Sequence, residues 1–173
     1  MANETDAAFC ALPGTPVSVP ERFQDTRVIR EIVQSAHTIA IVGLSPSELR
    51  ASYFVGFYLQ RHGYRIVPVN PNESEILGET SYPSLTAIPF PVDVVDVFRK
   101  PSAVPAIAAE AVQIGAHVLW LQFGVISLDG AEIAERGGLK VVMDRCLKVE
   151  HARHIGRMHW FGLNTGVVSA RRD

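Results

Sequence analysis

Short apolar runs rich in β-branched residues recur along the chain, with longer segments between them. The five runs occupy residues 38–43, 65–70, 92–98, 117–123 and 140–144. Runs of this length that are apolar throughout are typical of strands buried on both faces of a sheet. The pattern therefore predicts five strands.

The segments between these runs carry helix signals. Three of them open near Ser and close with Gly, as capped helices do, and they cover residues 52–63, 102–115 and 127–137. A leading helix is predicted from apolar residues at three- and four-residue steps, which are Val28, Ile29, Ile32 and Val33. Residues 146–154 predict one more helix at the end.

Strands that alternate with helices indicate βαβ units with parallel pairing and right-handed crossovers. The fold class is therefore α/β, a doubly wound sheet of about five parallel strands with helices on both faces. Residues 71–91 are rich in Pro, Asn and Ser, which predicts a loop-rich crossover with at most a short helix. We expect one domain at residues 21–155, a flexible arm at 1–20 and a tail at 156–173.

Composition narrows the function classes. The chain has 173 residues, is 47% hydrophobic and 20% charged, and carries a net charge of −2. That balance gives no electrostatic attraction to nucleic acid or to an anionic membrane, and no uncharged run reaches the roughly 18 residues that a spanning helix needs. Two cysteines and an acidic start without a signal-peptide pattern indicate a reduced, cytoplasmic protein.

The loop after the first strand is the best candidate binding element. Gly43 allows a sharp turn off the strand, and the helix that follows presents free N–H groups to an anion. Hydroxyl groups and one cation accompany it, from Ser45, Ser47, Arg50 and Ser52. Phosphate binding is favoured, with an ordinary polar turn as the alternative.

The known nucleotide fingerprints do not fit this loop. In a G-x-G-x-x-G pattern that starts at Gly43, the later glycine positions hold Ser45 and Glu48. The second strand ends at Asn70-Pro71, where an NAD site usually has an acidic residue. A standard NAD site is therefore disfavoured. A P-loop is disfavoured too, because the G-x-x-x-x-G-K pattern is absent and Glu48 lies where the phosphates would come.

The other strand ends add candidates. Arg99 and Lys100 follow the third strand, and a pair of cations can hold a phosphate monoester, although two solvated charges are equally consistent. Trp120, Gln122 and Gly124 are candidate groove residues, although alternation along the strand points Trp120 toward one sheet face and favours the core for it.

The cysteine and histidines near the last helix carry weaker signals. Cys146 lies between basic residues, which permits either a lowered thiol pKa or a buried, inert thiol. His151, His154 and His159 match no metal-ligand spacing and indicate a surface helix. The sequence nominates no nucleophile and base, which favours a binding protein over an enzyme.

Four segments together resemble the small single-domain CoA-binding proteins, which are similar to the CoA-binding domain of the succinyl-CoA synthetase alpha subunit. The segments are residues 39–71, 92–101 (VDVVDVFRKP), 119–125 (LWLQFGV) and 141–153 (VVMDRCLKVEHAR). The resemblance implies a Rossmann-like domain that holds coenzyme A or an acyl-CoA by its nucleotide and pyrophosphate end.

By position, the resemblance also implies roles for individual residues. The pyrophosphate loop would be Gly43, Ser45, Arg50 and Ser52, and Asn70 with Pro71 would neighbour the nucleotide. The rim for adenine and the 3′-phosphate would be Val97, Phe98, Arg99 and Lys100. Gln122 and Gly124 would face the pantetheine path.

The sequence therefore predicts a CoA-binding protein that acts as a non-catalytic carrier, sensor or partner of an acyl-transfer enzyme. Its partners are expected to be the CoA ligand and a second copy of itself or that enzyme, with no nucleic acid and no membrane. Two alternatives stay open. One is an NAD(P)-dependent oxidoreductase, and the other is a protein-interaction module with a vestigial nucleotide site in which Trp160 and Phe161 dock a partner.

Overall fold

The computed structural model describes residues 18–155, within which seven strands and five α-helices are found. The strands are β1 (Thr38–Val42), β2 (Arg65–Val69), β3 (Glu75–Ile76), β4 (Glu79–Thr80), β5 (Val94–Val97), β6 (Val118–Leu121) and β7 (Lys140–Val142). The helices are α1 (Thr26–Ser35), α2 (Ala51–Arg61), α3 (Val104–Gln113), α4 (Leu128–Arg136) and α5 (Leu147–His154). Two predicted segments lie outside the described residues: the first 17 residues of the arm predicted at 1–20, and the whole tail predicted at 156–173.

Five strands form one parallel sheet in the order β2-β1-β5-β6-β7. The five predicted strands and the Rossmann-like α/β fold are thereby confirmed. The chain passes from β1 to β2 on one side, then returns across β1 to form β5 on the other. Crossovers that leave in opposite directions open a crevice between their two strands, here at the carboxyl ends of β1 and β5.

Helices cover both faces of the sheet. Successive side chains of a strand point to opposite faces, so neighbouring residues pack in different core clusters. Val95 and Val97 pack in the cluster formed with α3 and α4, whereas Val94 packs in the cluster formed with α1, α2 and α5. The leading helix α1 begins where Asp25 accepts hydrogen bonds from the N–H groups of Arg27 and Val28. None of the described helices is long and apolar enough to cross a membrane.

The crossover from β2 to β5 is loop-rich, as predicted, with one short 3₁₀ turn at Leu85–Ala87. It also contains the β3–β4 hairpin, which the sequence analysis missed because two-residue strands leave no readable alternation. Leu77 and Gly78 form its turn with φ of 58° and 76°. Two central residues with positive φ are typical of the tight turns that fit twisted strands.

The prediction that the histidine-bearing last helix lies on the surface was wrong. His151 is buried, and its Nδ1 lies 3.1 Å from the Tyr58 hydroxyl on α2. Glu150 is buried beside it and accepts hydrogen bonds of 2.9 and 3.1 Å from Arg153. Charged groups can be buried when they are paired in this way, so polarity alone did not place this helix at the surface.

Candidate functional site

A crevice of about 240 Å³ lies at the switch point of the sheet. It is bounded by the ends of β1 and β2, the loop after β5, one face of α3 and the segment before the Leu85 turn. The lining residues are Val42, Gly43, Val69, Asn70, Pro71, Pro83, Ser84, Leu85, Arg99, Ala103, Ala106, Ile107 and Glu110. Four of the predicted site residues are therefore brought together here, namely Gly43, Asn70, Pro71 and Arg99.

Gly43 and Arg99 are in close contact at the mouth of the crevice. Gly43 has a φ of 88°, and a Cβ at this position would lie 2.9 Å from the Cδ of Arg99. Only glycine adopts this φ without strain, and only the absence of a side chain leaves room for the arginine. The glycine thus does two things: it turns the chain off β1 and lets the Arg99 side chain cross the turn.

The loop between β1 and α2 is organised by two serines. Ser52, which is buried, accepts a hydrogen bond of 3.1 Å from the Ser45 N–H, and the Ser45 hydroxyl accepts one of 3.2 Å from the Ser47 N–H. Helix α2 then begins after Arg50 with no side-chain cap. Because the first N–H groups of a helix have no partner inside the helix, this start is open to an anion, and Ser47 and Arg50 are exposed beside it.

Asn70 joins the loop after β1 to the end of β2. Its amide donates to the Leu44 carbonyl at 2.9 Å, and its Oδ1 accepts from the Asn72 N–H at 3.0 Å. With both ends of the amide occupied, the side chain holds the crevice wall in place. Pro71 follows it, exposed, at the crevice edge.

The last residue of β5 and the three residues after it lie in three different surroundings. Val97 is fully buried under α3, so the rim position that the resemblance implied for it is wrong. Phe98 packs on the opposite face of the sheet. Arg99 and Lys100 are both exposed, but only Arg99 lines the crevice. Lys100 precedes the 3₁₀ turn at Pro101–Ala103.

A buried carboxyl group lies behind the site, on β5, and the sequence analysis did not consider it. Gln122 is buried, and its amide donates to both oxygens of Asp96 at 2.8 and 3.0 Å. Burial raises the pKa of Asp96 to about 8, although the Gln122 amide and the Val97 N–H act in the opposite direction. An Asp inside an apolar strand was the available signal.

Gly124 and Trp120 differ in exposure. Gly124 is exposed, and its N–H donates to an Asp144 carboxylate oxygen at 2.8 Å. Trp120 lies in the core, where its indole N–H donates to the Arg145 carbonyl at 2.7 Å.

Cys146 is buried at the start of α5. Burial raises the pKa of its thiol. The interpretation of an inert buried thiol is therefore supported over that of an activated one, because nucleophilic attack requires the thiolate.

The sequence analysis also missed the wall of the crevice that α3 and the segment before the Leu85 turn form. Glu110 on α3 accepts a hydrogen bond of 3.1 Å from the Leu85 N–H, which fixes the segment before the 3₁₀ turn against the helix. Ser84 and Ile107 complete that side. No local pattern identifies these residues, because they come together only through the path of the long crossover.

Comparison with known proteins assigns the family. Residues 37–152 match the CoA binding domain family, and the chain belongs to it. It is 40% identical over 124 residues to the uncharacterized protein YneT of Bacillus subtilis (strain 168), covering 72% of this chain and 92% of that protein.

Two further relatives extend the comparison. A solved structure of a hypothetical protein from Pyrococcus horikoshii OT3 is 37% identical with a TM-score of 0.77, and the match covers 82% of this chain and all of that one. The ADP-forming acetate–CoA ligase I of Archaeoglobus fulgidus is 34% identical over 120 residues, which is 63% of this chain and only 17% of the ligase. The match to the ligase is therefore limited to a small part of that enzyme.

Proposed function

We propose that the crevice at the switch point binds coenzyme A or an acyl-CoA by its nucleotide and pyrophosphate end. The observation that carries the proposal is the close approach of Arg99 to Gly43, the residue that begins the loop to the uncapped start of α2. Arg99 supplies an exposed cation in the crevice lining, and the chain that leaves Gly43 leads to the free N–H groups at the start of α2, in a member of the CoA binding domain family. In cells, the protein would act in the cytoplasm as a non-catalytic carrier, sensor or partner of an acyl-transfer enzyme.

The chemistry of the residues fits the nucleotide half of CoA. The diphosphate would lie at the α2 start, against the loop that carries Ser45, Ser47, Arg50 and Ser52. Anions are stabilised at a helix N-terminus by the free N–H groups and the helix dipole. No carboxylate is needed at the end of β2 for the ribose, because in CoA the 3′ position carries a phosphate that an acidic group there would repel. The carboxylate that does line the crevice, Glu110, lies on the α3 wall and accepts the Leu85 N–H.

The adenosine end would enter the crevice. Its apolar wall, with Leu85 and Ile107, suits the flat face of a base, and Asn70 with Pro71 forms the opposite edge. Ligand pockets are usually about 300–1,000 Å³, so this smaller crevice would take only one part of a molecule as long as CoA.

The remaining site predictions complete the proposal. Arg99 and Lys100 would hold the 3′-phosphate at the rim. Val97 and Phe98, which pack in the two core clusters, would fix the end of β5 from which the two cations extend. The pantetheine arm would run toward the loop after β6, past Gly124. Gln122 would contribute there through its bond to Asp96, since its amide is already engaged.

The test is calorimetric titration of ligand-free protein with CoA, acetyl-CoA, dephospho-CoA, NAD and NADP. Replacing both cations in R99A/K100A should weaken CoA binding at least about tenfold, because charge-assisted contacts contribute about 1.5–3 kcal/mol each. Dephospho-CoA should lose much less. The matched control R136A/K140A removes two exposed charges from the opposite end of the sheet and should change neither affinity.

Each other outcome has a definite meaning. Equal losses for CoA and dephospho-CoA would remove the 3′-phosphate role from this pair. Binding of NAD or NADP with CoA ignored would place the protein with the oxidoreductases. No binding of any nucleotide would refute the proposal and favour the interaction module.

A further inference from the structure

Helix α2 presents an aromatic face to solvent. Phe54 and Phe57 on the helix are 60% and 40% exposed, and Leu49, two residues before the helix, is 97% exposed. They are three of the five large apolar side chains found exposed in residues 18–155. This surface encloses a concavity of about 420 Å³, and the residues that line the concavity are called the α2 face below. Its lining residues are Glu48, Tyr53, Phe54, Phe57, Tyr58, Arg61 and His62.

The core does not contain the exposed rings of Phe54 and Phe57. The opposite side of α2 supplies the core contacts, through the buried residues Val55 and Leu59. Gly56 lets the helix approach the sheet, since a Cβ there would lie 3.3 Å from the Cδ1 of Ile41. Clustered exposed apolar side chains on a soluble domain mark an interaction surface.

The charges on the α2 face are arranged for a second copy of the same surface. Glu48 lies before the first residue of α2, and Arg61 is its last residue, so opposite charges occupy opposite ends. In a two-fold symmetric contact the same surface meets itself. Two antiparallel α2 helices would therefore bring Glu48 of each copy to Arg61 of the other, with Phe54 and Phe57 near the axis.

Cations already cover the two central rings within one copy. The Arg61 guanidinium lies 5.0 Å from the Phe57 ring, and the Lys148 ammonium on α5 lies 5.0 Å from the Phe54 ring. Tyr53 stacks on Phe57 with a centroid distance of 6.3 Å. A ring that holds a cation and still exposes a large area can stack against a second ring without any change of fold.

We propose that two copies of the protein associate through their α2 faces about a two-fold axis. The three exposed side chains offer on the order of 300 Å² per copy, whereas a stable interface usually buries about 800 Å² per partner. The dimer should therefore be weak and dependent on concentration, with a dissociation constant on the order of 10–100 µM.

The experiment is sedimentation analysis of the full chain over a range of concentrations that brackets this dissociation constant. The variant F54S/F57S should dissociate at least about tenfold more readily, since central aromatic residues carry most of the energy of an interface. The control L128S replaces a side chain that is 45% exposed at the start of α4 and should leave association unchanged. Thermal unfolding verifies that each variant is folded.

A charge swap tests the geometry directly. E48R and R61E alone should each weaken association by about three- to tenfold, more at low salt, because each brings like charges together. The double variant E48R/R61E should restore it. A purely structural role for either residue would give additive losses without rescue.

Three results would overturn the proposal. The first is a chain that stays monomeric throughout the range. The second is a dimer that F54S/F57S leaves intact. The third is a dimer lost in W160S/F161S but kept in the α2 variants, which would assign the contact to the tail.

Discussion

The two ends of the sheet both carry a concavity, and the larger one is at the wrong end for a ligand in this fold. The cavity at the amino ends of the strands measures about 380 Å³, against about 240 Å³ for the crevice at the carboxyl ends. At the amino end, Asp93 already accepts N–H bonds of 2.9 and 2.8 Å from His37 and Thr38. Its other oxygen lies 3.4 Å from a ring nitrogen of His117.

The carboxyl end differs in what its polar groups do. There the start of α2 has no side-chain cap and Arg99 is exposed at the crevice. A polar group that already has protein partners gains little from a ligand, whereas a helix N-terminus without a cap gains a hydrogen bond and a favourable charge interaction. Hydrogen-bond donors without a protein partner therefore distinguish a candidate binding site from an ordinary surface cavity better than cavity volume does.

The largest expected effect is on the pH dependence of the free energy of unfolding, for which the carboxyl groups of Asp96 and Asp93 should act with opposite sign. Burial raises the pKa of Asp96 to about 8, above its unfolded value, so the folded state holds a proton that the unfolded state releases. The free energy of unfolding should fall as the pH rises from about 4 to about 8. D96N keeps one of the two acceptor oxygens for Gln122 and cannot ionise, so it should exceed wild type by on the order of 5 kcal/mol at pH 8 and match it near pH 4.

Asp93 should show the opposite sign. Burial alone would raise its pKa, but the N–H groups of Thr38 and His37 and the charge of His117 lower it overall. Its stabilisation is present above the unfolded pKa near 4 and is lost as the pH falls, so D93N should be the less stable protein at neutral pH, with the difference shrinking in acid. Urea unfolding of the three proteins across this pH range is the measurement. A D96N difference that does not grow with pH would contradict the assignment.

The sequence predicted the sheet well because five apolar runs, each bounded by turn residues, carry their signal locally. It also predicted that a turn led by Gly43 joins β1 to a helix, because Gly43 and the serines are near neighbours in the chain. It did not predict the β3–β4 hairpin, the Glu110 wall or the burial of His151. Each of these depends on contacts between segments that are distant in sequence, which leave no periodicity to read.

The next effect is on CoA affinity, and it compares two glycines with nearly equal φ, Gly43 at the carboxyl end of the sheet and Gly138 at the amino end. Gly43 has a φ of 88° and Gly138 one of 85°, but only at Gly43 would a Cβ meet another side chain, that of Arg99. G43A and G138A should each lose about 1–2 kcal/mol of unfolding free energy, because an L-residue is strained at positive φ. Only G43A should also weaken CoA binding, by about tenfold, because it displaces a charge-assisted contact. Equal affinities for the two variants in calorimetry would separate Gly43 from the site.

The smallest effect comes from a single hydroxyl at each end. The Ser52 hydroxyl holds the loop after β1 through the Ser45 N–H at 3.1 Å, whereas the Ser35 hydroxyl donates to the Glu31 carbonyl at 2.8 Å beside the amino-end cavity. S52A removes the acceptor for a loop N–H, so the loop should bind CoA about three- to fivefold more weakly, in line with a neutral hydrogen bond worth about 1 kcal/mol. S35A should leave CoA affinity unchanged, since its hydroxyl bonds within α1, far from the β1 loop. If the two variants bind CoA alike, the Ser45–Ser52 bond shapes the fold and not the site.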